Sequence, residues 1–443
     1  LPWENGIRQA RPYLSENSTG ASQQPVAKLL AVGDLIRVTE NEDGSWQLAQ
    51  LPAAQAALVS LNPNNGAIIS IVGGLGFEQS KFNRATQAER QPGSNFKPFL
   101  YSAAFESGFT AATIINDAPI VLEGGSQDDL WRPENDESKF YGPTRLRWAL
   151  TKSRNLVSIR LLQRLGVKRL IKYANRLGFD TSAYVPELSL ALGTQNITPL
   201  QLAKGYAVIA NGGYLVEPYL IQRVEDVEGG TVFEARPPTV CQDCDGAPAI
   251  PEQAEEDKEE MSMEEILADN TSEALDLPPA ERVMDERVNF IIDSILKDVI
   301  TKGTGRRALE LKRSDIGGKT GTTNGPRDVW FSGYNADVVT TAWVGFDDYT
   351  PLGRREFGGT AALPIWIAYM REALKDSPDR ERRVPPGIVT VKIDPQTGQP
   401  ASAGQRNAIF EYFKRETAPQ HTGRESNRRE SDSSLYDEVN DIF

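Results

Sequence analysis

Two nearly continuous apolar runs, Ala57-Leu58-Val59-Ser60-Leu61 and Ala67-Ile68-Ile69-Ser70-Ile71-Val72, flank Asn62-Pro63-Asn64-Asn65-Gly66. That turn is rich in residues that favour tight reversal, so the pair predicts a hairpin covered on both faces. From 94 to about 215 the pattern becomes mostly helical. Phe96, Phe99, Leu100, Ala103 and Ala104 recur at helical spacing, and Leu156 to Leu165 and Val167 to Leu177 are short amphipathic segments. Thr198-Pro199 opens a further helix that Asn211-Gly212-Gly213 ends, with the proline at the first helical position. Another helix spans about 284–301. Strand patterns then return in Lys319 to Thr323, Asp328 to Tyr334 and Val338 to Phe346, before a helix over Leu363 to Leu374. Two strands, many helices, three strands and one helix imply an α+β fold. Its antiparallel sheet is drawn from both ends of the domain, flanked by helices, with an all-helical lobe inserted between.

The flanks read differently. Residues 1–55 look like a small β module: Leu35 to Thr39 alternates, Asn41-Glu42-Asp43-Gly44 turns, and Trp46 to Ala49 alternates again. The main domain is expected over 56–380. Beyond it, 381–443 holds Ile388 to Ile393 with a Pro395-Gln396-Thr397-Gly398 turn, a second hairpin, and from about 415 a polar tail expected to be flexible. No run approaches the length of an apolar membrane span and no signal peptide opens the chain, so a soluble chain is expected.

Charge sharpens the domain picture. The net charge is −13, yet residues 241–280 hold 13 acidic residues and one basic residue. That segment reads as an exposed, poorly ordered insertion, and the rest is near neutral, with nothing that suggests a nucleic-acid surface. The two cysteines, Cys241 and Cys244, are too few for a zinc site and read as a loop disulfide or idle thiols. The single histidine, His421, sits in the polar tail, which argues against a Ser-His-Asp triad and against a histidine metal site. No cofactor is expected.

If a serine is the nucleophile here, its base is a lysine. Ser94 and Lys97, after Pro92-Gly93, stand at a helix start and share one helical face. Such a lysine works as a base only when burial or a neighbouring cation lowers its pKa. A second Ser-x-x-Lys, Ser294 to Lys297, lies inside an apolar-periodic run and reads as an ordinary helix position. Two more motifs follow in order, Ser153-Arg154-Asn155 and Lys319-Thr320-Gly321. Each has a plainer reading alone: a helix cap before Leu156, and a strand entry. Trp131, in Trp131-Arg132-Pro133-Glu134-Asn135, fits either a substrate cleft or a surface loop anchor.

Ser-x-x-Lys, Ser-x-Asn and Lys-Thr-Gly in this order are the signature set of penicillin-binding proteins and serine β-lactamases. With Arg90-Gln91-Pro92-Gly93, Tyr141-Gly142-Pro143, Thr198 to Ala203 and Gly303 to Ala308, residues 55–375 resemble the transpeptidase domain of class A penicillin-binding proteins. The module before them resembles the end of that subclass's OB-like domain. The resemblance implies a D,D-transpeptidase. Ser94 attacks the D-Ala-D-Ala carbonyl of a peptidoglycan stem peptide, Lys97 takes its proton, and Ser153 relays a proton to the leaving D-alanine. Asn155 orients Lys97 and the substrate amide. Lys319, Thr320 and Thr322 meet the terminal carboxylate, Lys319 also depresses the pKa of Lys97, and backbone N–H groups of Ser94 and Thr322 hold the oxyanion. Gly321 belongs to the same binding strand. β-Lactam antibiotics would acylate Ser94. The resemblance further implies a membrane-anchored parent at the periplasmic face of the inner membrane, and an outer-membrane lipoprotein activator at the OB-like domain. Members also carry a glycosyltransferase domain. None is recognisable here, so peptide cross-linking without glycan polymerisation is expected. The alternatives are a carboxypeptidase or β-lactamase on the same fold, or a β-lactam sensor.

Overall fold

The computed structural model describes residues 1–15, 18–123, 130–241 and 277–420. Its centre is a five-stranded antiparallel sheet. In chain order the strands are β1 (Gln55–Leu61), β2 (Ile68–Val72), β3 (Gly317–Thr322), β4 (Asp328–Tyr334) and β5 (Val339–Gly345); in space they run β3-β4-β5-β1-β2. The two ends of the domain meet where β5 pairs with β1, from Val339 opposite Leu61 to Gly345 opposite Gln55.

One face of the sheet carries helices α1 (Lys97–Glu106), α2 (Asn155–Leu165), α3 (Val167–Arg176), α4 (Pro199–Ala210) and α5 (Glu286–Thr301). Phe99, Tyr206, Ile292, Trp330 and Trp343 belong to their common core. The other face carries α6 (Leu363–Ala373), where Trp366 and Met370 pack on Phe331 and Ala342. The caps are those the residues call for. Thr198 accepts from the Gln201 N–H while Gln201 reaches back, a capping box ahead of Pro199. Asp285 accepts from the N–H groups of Arg287 and Val288 at the start of α5.

Three expectations change. The first hairpin is not covered on both faces: β2 is the sheet's edge, and Ile69 and Val72 are about half exposed at 49% and 51%. The segment after α1 is not helical. Ile114–Asp117 pairs with Gly142–Arg145, and Leu122–Glu123 with Leu130–Trp131, as suits a stretch with Gly142, Pro143 and β-branched residues. The C-terminal hairpin is larger than its turn implies. Asp394 to Gln399 reverses the chain as expected, but Ile388–Ile393 takes Ile409–Lys414 as its strand partner. Ile393 and Phe413 then bury against Ala112.

At the N-terminus Arg37–Glu40 pairs with Trp46–Ala49 around the expected turn. Cys241 is disulfide-bonded. Most of the acidic insertion and of the polar tail, with Cys244 and His421, lies outside the described residues. Among the described residues no helix is long and apolar enough to cross a membrane.

Candidate active site

The chain around Ser94 is wedged between backbones. Ser94 sits in a single 3-10 turn, Gly93–Phe96, and α1 begins at Lys97 with Pro98 in its first turn. Gly93 has φ +57°, and a Cβ there would stand 2.6 Å from the Thr322 carbonyl oxygen. A Cβ on Gly193, at φ +72°, would stand closer still to the Gly93 carbonyl oxygen, and so would one on Gly321 to that of Pro92. Only glycine lets these three backbones approach so closely. Side chains then lock them. Arg90 Nε donates to Asp328 Oδ1 at 2.6 Å, Trp330 Nε1 to the Gln91 carbonyl at 2.8 Å, and Asn95 Nδ2 to Ser332 Oγ at 3.1 Å. The nucleophile turn is thus held to β3 and β4.

Lys97 points inward and is fully buried. Its Nζ donates to the Ser153 carbonyl at 2.8 Å, to Asn155 Oδ1 at 2.6 Å and, more weakly, to Ser153 Oγ at 3.4 Å. No hydrogen bond to Ser94 is among these, although such contacts often tighten only when substrate binds. Burial pushes the Lys97 pKa down to about 7; Asp136 opposes this, Arg154 adds to it, and Asp117 opposes it. Ser153 adopts φ +60°, the left-handed region that a non-glycine residue enters at a cost of about 1–3 kcal/mol. Asn155 begins α2 without capping it. The plain helix-cap reading of Ser153 and Asn155 therefore does not hold, since both side chains turn to the buried amines.

Lys319 comes from β3 to the same place. Its Nζ donates to Ser153 Oγ at 2.9 Å and to the Thr320 carbonyl at 3.0 Å. Burial, then repulsion from Lys97, holds its pKa well below the usual lysine value. The shift of Lys97 comes first from desolvation, and two ammonium groups this close repel each other. The Thr320 hydroxyl is bonded to that of Thr304 at 2.6 Å, while Thr322 Oγ1 accepts from the Gly358 N–H at 3.1 Å.

Above this floor lies a cleft of about 350 Å³ lined by Ser94, Trp131, Asp136, Asn155, Thr322 and Arg327, among others. Trp131 is thus a cleft residue. Ser294, by contrast, sits within α5, accepting from Arg147 Nη2 at 2.9 Å and donating to the Ile291 carbonyl, as an ordinary helix position does.

Two residues of the loop after Trp131, Asn135 and Asp136, hold the second motif in place. Asn135 Oδ1 accepts from the Asn155 N–H at 2.8 Å, and its Nδ2 donates to Asp117 at 2.8 Å. Asp136 Oδ1 accepts from Asn155 Nδ2 at 3.2 Å. Nothing local marks these two; their meaning lies in a contact with α2. Among the described residues no cluster of His, Cys, Asp or Glu could hold a metal.

Two family models match. The penicillin-binding protein transpeptidase domain matches residues 56–350, and the penicillin-binding protein OB-like domain matches residues 1–54. Penicillin-binding protein 1A of Pseudomonas aeruginosa is 51% identical over 436 residues, which covers 95% of this chain and 52% of that protein. The protein of the same name from Escherichia coli is 41% identical, covering 94% of this chain and 53% of its own length. The chain thus spans about half the length of these relatives. A crystal structure of penicillin-binding protein 1A from Haemophilus influenzae superposes with a TM-score of 0.79 at 41% identity, covering 89% of this chain and 58% of that one. The match over 56–350, on a fold that brings its three motifs together, shows that this chain belongs to the penicillin-binding protein transpeptidase domain family.

Proposed function

We propose that the chain is a D,D-transpeptidase that works through a serine acyl-enzyme at Ser94. The observation that carries this reading is the buried Lys97 amine, held near neutrality among Ser153, Asn155 and Lys319 beneath a cleft that Ser94 lines. An amine with a pKa of about 7 is a competent base at neutral pH. Lys97 removes the Ser94 proton as Oγ attacks the carbonyl of a stem peptide's D-Ala-D-Ala bond. The Ser94 and Thr322 backbone N–H groups receive the oxyanion. Ser153, which accepts from Lys319 and from Lys97, hands a proton to the departing D-alanine. An acceptor amine on a second stem peptide then displaces Ser94.

The substrate's terminal carboxylate is met by Lys319, with Thr320 and Thr322 beside it. An incoming carboxylate favours the ammonium form of Lys319 against its burial, so binding and protonation are coupled. Asn155 and Trp131 orient the peptide in the cleft. A β-lactam enters the same chemistry as a cyclic acyl donor.

Peptidoglycan lies outside the cytoplasm, so the proposal places the working protein at the periplasmic face of the inner membrane, anchored there through its parent chain. The OB-like match over 1–54 supports an outer-membrane lipoprotein activator as a partner.

The test is covalent labelling with a fluorescent penicillin, together with formation of cross-linked stem-peptide dimers. Ser94→Ala abolishes both with the fold intact, whereas Ser294→Ala leaves labelling nearly unchanged. Labelling that survives Ser94→Ala overturns the assignment. Labelling without dimers, and with free D-alanine instead, moves the chain to the hydrolases.

A further inference from the structure

The loop that carries Trp131 also carries a carboxylate that this chemistry has not used. Asp136 is exposed and lines the cleft beside Ser94 and Asn155. Its Oδ1 accepts from Asn155 Nδ2 at 3.2 Å, and the Glu134 carbonyl accepts from the same nitrogen at 2.8 Å. A primary amide has two N–H donors on one side and an acceptor oxygen on the other. With both donors engaged on the loop, Asn155 turns its oxygen to Lys97, at 2.6 Å. Rotated the other way, the amide would set N–H groups against the Lys97 amine and its oxygen against a carboxylate.

We propose that Asp136 is a positioning residue for acylation of Ser94: it fixes the Asn155 amide against Lys97, and its charge sets how readily that amine gives up its proton. The proposal rests on the roles of Ser94 and Lys97 given above. Asp136 touches none of the reacting atoms and acts through Asn155 and Lys97.

The charges around Lys97 come from four elements. Asp136 faces it from the loop, Arg154 from the turn before α2, Asp117 from the Ile114–Asp117 strand, and Lys319 from β3. Arg154 is paired with Glu137 at 3.3 Å and lies over the Tyr141 ring. Asp117 is buried and bonded to Asn135. Of these four, Asp136 alone is exposed, so its charge can be changed without opening the core. A carboxylate beside an amine favours the ammonium form, and removing it lowers the amine's pKa. The neutral base then appears at lower pH.

The experiment is the rate of Ser94 acylation by a fluorescent penicillin, followed against pH in wild type and in Asp136→Asn, Asp136→Ser and Asp136→Glu, with thermal melts to verify folding. In Asp136→Asn and Asp136→Ser the rising limb moves to lower pH by about 0.5–1 unit. Asp136→Glu, which keeps the charge, returns it towards the wild-type position. A limb that stays in place, or moves to higher pH, in either folded neutral variant overturns the proposal. That result leaves the transpeptidase reading standing, because the latter is tested separately, by labelling of Ser94 and by formation of stem-peptide dimers.

Discussion

Glu411 Oε1, on the C-terminal hairpin, lies 2.7 Å from Arg147 Nη2, on the short helix that runs into Ser153. The same fully buried carboxylate meets Arg145 at 3.3 Å, and Arg147 reaches on to Asp298 of α5 at 3.1 Å. A hairpin that sequence reasoning set apart, in 381–443, therefore braces the segment that delivers the second motif. Glu411→Gln removes the buried anion shared by two partly buried guanidinium groups, of which Arg147 keeps Asp298. Losing one partner of a buried pair costs about 3–5 kcal/mol, to be read from urea unfolding. Labelling of Ser94 falls alongside, because the Ser153 segment loses its brace.

The lowered pKa of Lys97 has a consequence for stability. An unfolded lysine titrates near 10.5, whereas the folded Lys97 does so at about 7, so between these values the unfolded chain binds more protons. Stability from this group is therefore fully present above 10.5 and is lost as pH falls towards 7, with a slope of up to about 1.4 kcal/mol per pH unit. Comparing denaturant unfolding of wild type and Lys97→Met from pH 7 to 9 tests this: the wild type gains on the variant as pH rises. A constant difference contradicts the assignment of the shift to Lys97.

Gly321→Ala places a Cβ against the Pro92 carbonyl and 2.8 Å from Asn95 Cβ. Either β3 or the nucleophile turn must move, and both are proposed to supply oxyanion donors. A displacement on the order of 1 Å costs catalysis roughly 100-fold, so the acylation rate drops by about that factor. Circular dichroism checks that the sheet survives.

Deletion of about 245–275 leaves acylation nearly unchanged. The chain ends that bracket this segment are already held together, with the Thr239 N–H donating to the Pro278 carbonyl at 2.8 Å and the Ala280 N–H to that of Thr239 at 2.9 Å. The described ends lie outside the lining of the cleft. Shortening a loop whose ends already meet changes its closure cost by only about 1–2 kcal/mol. Stopped-flow acylation of the deleted and full chains decides it, and a large fall in rate would tie the acidic segment to the cleft.

The proposed function predicts a long-lived penicillin adduct on Ser94. Hydrolysing that adduct needs a base aimed at an incoming water. The Leu-Asn pair that follows such a glutamate in class A β-lactamases occurs here only as Leu61-Asn62, upstream of Ser94. Asn62 lies in the β1–β2 turn, where its side chain accepts from the Asn64 N–H. An acyl group on Ser94 would screen Lys97, and the opened lactam ring would stay tethered where D-alanine would leave. Intact mass after a pulse of penicillin shows the added mass persisting for many minutes; loss within seconds identifies a hydrolase.

What the sequence determined is what neighbours along the chain decide. Alternation and helical spacing reflect contacts within a turn or across a hairpin, so β1, α1, α4, α5 and the capping box at Thr198 and Gln201 are legible in the residues themselves. The order of strands and helices was enough to infer a sheet closed from both ends, and three ordered motifs were enough to name Ser94, Lys97, Ser153, Asn155 and Lys319. The tertiary structure decided what those residues become. Lys97 and Ser153 lie 56 positions apart, and Lys319 and Ser153 166 apart. Burial and charge across such separations depend on which segments the fold stacks together, and no local pattern encodes them. That is why the edge position of β2, the seat of Glu411 among arginines and the turn of Asp136 towards Asn155 emerged only in three dimensions. The pKa of a lysine belongs to the cavity around it, and that cavity is assembled from segments distant along the chain.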